Sequence, residues 1–268
     1  MILFAPAKIN IGLKVLNKRP DGYHNLDSIF YPIPLFDIME FSKSDDFQFI
    51  STGLSIDASL DDNLVYKAYD LIKKHYKIGG LKIHLHKIIP MGAGLGGGSS
   101  DAATTLLAIN KLFDLGITKD KLAGFAKQIG ADCPFFIFNQ AIRATGIGTD
   151  FSSVDLDLSS YHIVLIKPDI HISTAEAYAG VKLEGVDAKL DLSIINSINQ
   201  WWDNYNNSFE YHLFQKYPLL SELKDSLYNQ GAVYASMSGS GSTIFGLFEN
   251  KPKIMDIWKQ HFVWEYKL

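Results

Sequence analysis

Between Pro90 and Ala103 the chain reads PMGAGLGGGSSDAA, with glycine at 92, 94, 96, 97 and 98. From Lys82 to Lys87, Ile83 and Leu85 alternate with polar residues, which predicts a strand that Pro90 stops. The alanines and leucines beyond the glycines predict a helix from about Ser100 to Leu112. A glycine-dense link between strand and helix lets the backbone take positive φ and approach a ligand with no Cβ in the way. The helix behind it presents N–H groups without intrahelical acceptors and the positive end of its dipole. Together these favour an anion, in the first instance a phosphate. Ser99 and Ser100 add hydroxyls for phosphate oxygens or for Mg²⁺.

Two other readings compete. Gly92, Gly94 and Gly97 also satisfy the dinucleotide pattern G-x-G-x-x-G. That site needs the first turn of a βαβ unit and an acidic residue ending the second strand. Here Leu115 to Gln128 reads instead as another helix. A flexible linker is disfavoured because the glycines join a regular strand to a regular helix. There is no G-x-x-x-x-G-K-[ST], so the loop is not a Walker A motif.

The rest of the chain mixes strands and helices. Lys8 to Leu16 alternates, with Ile9, Ile11, Leu13 and Val15 on one face, and ends in a polar turn from Asn17 to Asn25. Phe47 to Ile50 is a further strand candidate. Asn63 reads as the cap of a helix carrying Leu64, Ala68, Leu71 and Ile72, closed by Gly79-Gly80. Lys119 to Gln128 predicts a helix, and Asp132 stands before the apolar run Phe135 to Phe138, which reads as a buried strand. His162 to Lys167 predicts a strand, Ser173 or Thr174 caps a short helix, and Leu219 to Asn229 is another. Val233 to Met237 and Thr243 to Phe248 are expected as strands around a tight Ser-Gly-Ser-Gly turn. A last helix and strand are expected over Lys251 to Tyr266. The serine- and aspartate-rich segment Asp150 to Ser160 suggests a boundary, giving domains 1–155 and 156–268. The class is α/β or α+β.

Composition narrows the function. With 268 residues, 47% hydrophobic and 20% charged, the chain is an ordinary globular protein with room for two modest domains. A net charge of -4 offers no basic surface for nucleic acid, so no nucleic-acid partner is expected. Arg19 and Arg143 are the only arginines, so an anionic ligand must rely on backbone amides and a few lysines. One cysteine, Cys133, rules out an intrachain disulfide and a cysteine zinc site. No secretory signal and no run long enough to span a membrane is found, and a cytoplasmic location is expected.

The loop resembles the second signature of the GHMP kinases (galactokinase, homoserine kinase, mevalonate kinase, phosphomevalonate kinase). Two more segments agree in order: Pro6-Ala7-Lys8-Ile9-Asn10 near the N-terminus, and Ser238-Gly239-Ser240-Gly241 near the C-terminus, similar to the third signature. Asp21-Gly22-Tyr23-His24 and the Gly130–Phe136 sequence GADCPFF resemble one branch of the family. Its acceptor is a cytidine diphosphate-linked methylerythritol of the non-mevalonate isoprenoid pathway. The resemblance implies an α+β, two-domain GHMP kinase fold with the active site in the cleft between the domains. It also implies ATP and Mg²⁺ as co-substrate and cofactor, a small-molecule acceptor, and a monomer or homodimer.

Site roles follow from that resemblance residue by residue. Asp132 matches the catalytic aspartate, although the residues alone favour a helix- or turn-capping aspartate. Lys8, otherwise a solvent-facing lysine at the head of a strand, becomes its catalytic partner. Pro90, Met91, Gly92, Ala93, Gly94, Leu95, Gly96, Gly97, Gly98, Ser99 and Ser100 are expected at ATP, with Asn63 and Lys87 on the adenine side. Asn10, Tyr23, His24, Tyr178 and Ser238, Gly239, Ser240 and Gly241 are expected at the acceptor substrate. A flat tyrosine ring suits a cytosine base, and His24 offers it one donor and one acceptor. From the residues alone Asn63 reads more strongly as a plain helix cap, and Tyr178 reads equally well as a core aromatic.

Overall fold

The computed structural model describes residues 1–56 and 59–268. They gather into two compact units that interleave along the chain. The first comprises 1–8, 32–91 and 96–140; the second comprises 9–31, 92–95 and 141–268. The segment Asp150 to Ser160 lies inside the second unit. Two long strands, β1 (Ile2–Lys18) and β2 (His24–Ser44), pair with each other, and each contributes residues to both units.

In the first unit, the later part of β2 pairs antiparallel with β4 (Gly80–Lys87), Ile38 opposite His86, and β3 (Gln48–Gly53) runs parallel to β4. Helices α1 (Leu64–His75), α2 (Gly97–Leu112), α3 (Lys119–Ile129) and α4 (Cys133–Phe138) complete it. Asn63 caps α1 as expected, its Oδ1 accepting from the Val65 amide at 2.9 Å. The inner faces of β2 and β4, with Leu35, Met39, Phe41, Ile83 and Leu85, and the α2 residues Ala102, Leu106 and Ile109 are all buried.

β2 is absent from the sequence-based expectations, and Pro32 and Pro34 are the reason. Proline inside a run argues against a strand because it cannot donate to a ladder. In the structure both prolines lie on the less buried face, while Ile33, Leu35, Asp37, Met39 and Phe41 form a buried row at every second position. A carboxylate thus sits in the middle of a hydrophobic row.

Two expectations are corrected. Phe135 to Phe138 belongs to helix α4, not to a strand. A short run of wholly buried apolar residues carries no periodicity to separate the two. Pro134 in the first turn and Asn139 in the left-handed region, φ 51°, set the helix limits. Beyond Lys251 no α-helix forms among the described residues. A 3₁₀ turn at Trp258–Gln260 precedes β10 (Phe262–Lys267).

In the second unit, the early part of β2 pairs with β5 (Ile142–Gly146), which pairs with β6 (Asp150–Ser153). A four-stranded antiparallel sheet has the order β10, β7 (His162–Lys167), β9 (Ile244–Phe248), β8 (Tyr234–Met237). Helices α5 (Thr174–Ala179), α6 (Trp201–Asn204), α7 (Glu210–Lys216) and α8 (Pro218–Asn229) accompany it. Ser173 caps α5, accepting from the Glu176 amide at 3.1 Å. The core gathers Leu13 and Val15 of β1 with Val164, Ile166, Leu220, Leu223, Leu227, Phe248 and Trp258.

Candidate active site

In the first unit, α2 begins at Gly97, three residues earlier than periodicity suggested, so Ser99 and Ser100 lie in its opening turns. Its N-cap is Gly96, at φ 70°. A Cβ on Gly96 would lie 2.8 Å from the Phe136 ring and 3.2 Å from Lys8 Cγ, so no larger residue fits where the chain turns into the helix. The Ser100 hydroxyl is buried and has no hydrogen-bond partner among the described residues. Buried polar atoms are nearly always satisfied, so this orphan at a helix N-terminus makes Ser100 a candidate to meet a ligand.

The structure brings Lys8 and Asp132 together. Lys8 Nζ lies 3.5 Å from Asp132 Oδ2, with the lysine side chain 4% and the aspartate side chain 34% exposed. Asp132 occupies the N-cap position of α4, yet its carboxylate makes no capping bond among the described residues. The capping role that the residues alone allowed is not the one it plays. Burial lowers the Lys8 pKa, and the Asp132 carboxylate counters that effect. A half-exposed carboxylate beside a buried ammonium can take a proton while the ammonium steadies the charge around it.

Lys87 is not where the sequence placed it. Its ammonium lies 2.5 Å from Asp37 Oδ2 and 2.7 Å from Asp101 Oδ2, and its side chain is wholly buried. It is engaged by two carboxylates rather than presented to a nucleotide. Burial lowers the Lys87 pKa, but Asp101 and Asp37 outweigh that and raise it. Burial pushes the Asp101 carboxyl up to about 7, against the pull of Lys87 and with the repulsion of Asp37. Sequence reasoning missed Asp37 and Asp101; the available signal was an acidic residue in the inward row of β2.

Cys133 is fully buried. Burial pushes its thiol up to about 12, which keeps it protonated and unreactive near neutral pH. Native protein at pH 8 is expected to resist iodoacetamide, reacting at least about 100-fold more slowly than unfolded protein by mass spectrometry. Comparable rates in the two states would contradict that burial.

In the second unit, the middle of the glycine loop meets the Ser-Gly-Ser-Gly turn. Ser238 Oγ donates to the Gly94 carbonyl at 2.8 Å and accepts from the Asn10 amide at 3.2 Å. A Cβ on Gly94, which has φ 74°, would lie 1.9 Å from the Ser238 carbonyl oxygen. The Asn10 side chain is buried and donates to Ser28 Oγ at 2.9 Å, so it is oriented before any ligand arrives. Asn207, which nothing in the sequence singled out, donates to the carbonyls of Met237 at 2.7 Å and Gly239 at 2.8 Å and holds the turn. His171 is a second unforeseen neighbour: its ring would lie 3.2 Å from a Cβ on Gly92.

His24 and Tyr178 also come together, their rings stacked with centroids 4.9 Å apart and planes 18° off parallel. Phe209 meets Tyr178 edge-on at 4.9 Å. A base cannot be sandwiched between two rings already in contact, so an aromatic ligand must lie on an outer face of this stack or part it. Burial lowers the His24 pKa, with Lys18 adding to the effect, which favours the neutral ring with one donor and one acceptor. Tyr23 is 63% exposed in the turn.

Comparison with known proteins finds relatives of the whole chain. The GHMP kinases N terminal domain family matches residues 63–140, and the GHMP kinases C terminal family matches 193–263. The 4-diphosphocytidyl-2-C-methyl-D-erythritol kinase of Parabacteroides distasonis is 48% identical over 271 residues, covering 100% of both chains. The same enzyme of Bacteroides fragilis is 46% identical over 258 residues, covering 95% of this chain and 94% of its own. A crystal structure of 4-(cytidine 5'-diphospho)-2C-methyl-D-erythritol kinase superposes with a TM-score of 0.78 at 34% identity, covering 92% of this chain and 90% of that one. The homoserine kinase of Cytophaga hutchinsonii, at 16% identity and a TM-score of 0.68 over 98% of this chain and 94% of its own, shares the fold.

Proposed function

The chain belongs to the GHMP kinase family, and we propose that it transfers the γ-phosphoryl group of ATP to the 2-hydroxyl of 4-diphosphocytidyl-2-C-methyl-D-erythritol, a step of the non-mevalonate isoprenoid pathway. The observation that carries the chemistry is the Lys8–Asp132 pair, with an Asp132 carboxylate not used as a cap. The near-full-length similarity to enzymes of that name supports the choice of acceptor.

Phosphoryl transfer asks for positioning and charge stabilisation more than covalent work by the protein. The acceptor oxygen forms a bond to the γ-phosphorus as the bond to the β-γ bridging oxygen breaks, and ADP leaves. Asp132 takes the hydroxyl proton, and Lys8 stabilises the negative charge developing on that oxygen. The start of α2, from Gly96 to Ser100, receives phosphate oxygens on its amides and hydroxyls. The loop from Pro90 to Leu95 and the adenine-side Asn63 complete the nucleotide's surroundings. Mg²⁺ would be held by the hydroxyl of Ser100 or Ser99 together with phosphate oxygens, a sparse protein ligand set that suits this ion. It supplies neutralisation of phosphate charge. Among the described residues no group of three or more His, Cys, Asp or Glu could hold a metal alone.

On the acceptor side, Asn10 and the Ser238–Gly241 turn offer pre-oriented polar groups, and His24, Tyr178 and Tyr23 offer ring faces and a pyrimidine-matching edge. Among the described residues no helix is long and apolar enough to cross a membrane, and a cytoplasmic location fits this reading.

The test is ADP release. Purified protein with ATP, Mg²⁺ and 4-diphosphocytidyl-2-C-methyl-D-erythritol is expected to turn over, and cytidine diphosphate to compete with the acceptor. Turnover with mevalonate or homoserine but not with the cytidine compound would overturn the choice of acceptor.

A further inference from the structure

Lys87 is the last residue of β4, directly before Ile88-Ile89-Pro90, and Asp101 is the fifth residue of α2, directly after Ser99-Ser100. The ion pair between them, at 2.7 Å, therefore ties the residue before the glycine loop to the helix after it. Asp37 holds the same place from below. Its Oδ2 meets Lys87 Nζ, and its Oδ1 accepts from the amides of Ile88 at 2.6 Å and Ile89 at 2.8 Å, the first two residues leading into the loop. All three side chains are buried, with Asp37 and Lys87 at 0% and Asp101 at 4% exposure. The Lys87 ammonium also lies 2.9 Å from where a Cβ on Gly97 would stand, directly against the first residue of α2. Glycine at 97 thus makes room for the lysine head and for Ile89.

We propose that Asp37, Lys87 and Asp101 form a buried clamp that fixes the two ends of the phosphate loop, making them positioning residues for the nucleotide phosphates. The clamp explains why an acidic residue interrupts the inward row of β2 and why a lysine at a strand end is wholly buried. Loops gain affinity when their bound conformation is fixed in advance, since less ordering entropy is lost on binding. The Asp37 carboxylate, buried and bonded to Lys87 and to the amides of Ile88 and Ile89, is a means to that end. This inference rests on the reading of the chain as an ATP-using kinase.

The two carboxyls share one ammonium, so removing one of them leaves Lys87 a partner, whereas removing Lys87 leaves both buried carboxyls without their counter-ion. The test therefore changes the carboxylates. Asp101→Ala is expected to raise KM for ATP about tenfold, while kcat at saturating ATP and KM for the acceptor stay within about twofold. Asp101→Asn keeps an oxygen for Lys87 and is expected to restore KM for ATP to within about threefold of the parent. Asp37→Asn, which can keep the backbone bonds but turns a donor toward Lys87, gives an independent reading and is expected to raise KM for ATP at least fivefold. Wild-type protein inactive with ATP would sink the kinase reading itself. Active wild type with KM for ATP within twofold in every folded variant, or with both KM values shifted equally, would overturn the clamp alone.

Discussion

Asp132→Asn is expected to lower kcat by about 10²- to 10⁴-fold, the range in which a positioned acid–base group contributes to proton transfer. The amide keeps the shape of the carboxylate but cannot take the hydroxyl proton. It also removes the negative partner 3.5 Å from the buried Lys8 ammonium. Burial already lowers the Lys8 pKa, so without Asp132 the lysine is less able to hold its charge. ATP binding is expected to persist, because the proposed donors to phosphate lie at the start of α2 and not at Asp132. The two readouts are steady-state ADP release and calorimetric binding of a non-hydrolysable ATP analogue. A rate within a few-fold of the parent would show that Asp132 only orients the acceptor. Loss of both rate and nucleotide binding would mean the substitution had disturbed the fold near α4.

The second large effect is expected from a single methyl group. Gly94→Ala puts a Cβ 1.9 Å from the Ser238 carbonyl oxygen, at a residue with φ 74°. Left-handed strain and overpacking against backbone act together, and the turn cannot yield freely because Asn207 and Asn10 hold it. The expected loss is about 3 to 5 kcal/mol, or roughly 10 °C in Tm for a protein of this size, with weakened nucleotide binding at the remaining folded fraction. Gly231→Ala separates the two causes. Gly231 has φ 90° and nothing within 4 Å of its Cβ position, so only the strain of about 1 to 2 kcal/mol applies. Equal losses at the two positions, measured by thermal melts, would show that the contact between the loop and the Ser238 turn is soft.

Local chemistry was readable along the chain. Asn63 and Ser173 stand before helical patterns and cap α1 and α5. The alternation of Ile83 and Leu85 in β4 and of Ile9 to Val15 in β1 is borne out, because a period of two has one structural meaning when it persists. Local rules failed where two of them conflicted or where neither applied. The prolines of β2 obscured a strand of 21 residues. The apolar run after Asp132 had no polar side to reveal a helical period.

The sequence by itself pointed to a phosphate binder: a glycine–serine turn into a helix N-terminus offers an anion backbone amides that are contiguous in the chain. It also determined the set of side chains from which the rest of the site is drawn. Tertiary structure alone decided their employment. Lys8 and Lys87 are both lysines in strands, yet one faces a half-exposed carboxylate and the other is shared by two buried ones. Asp132 and Asp101 are both aspartates beside helix starts, and only the first is partly open to solvent. A buried charge is defined by its neighbours and by the water it has lost. Those neighbours lie 124 residues away for Lys8, and 50 and 14 residues away for Lys87.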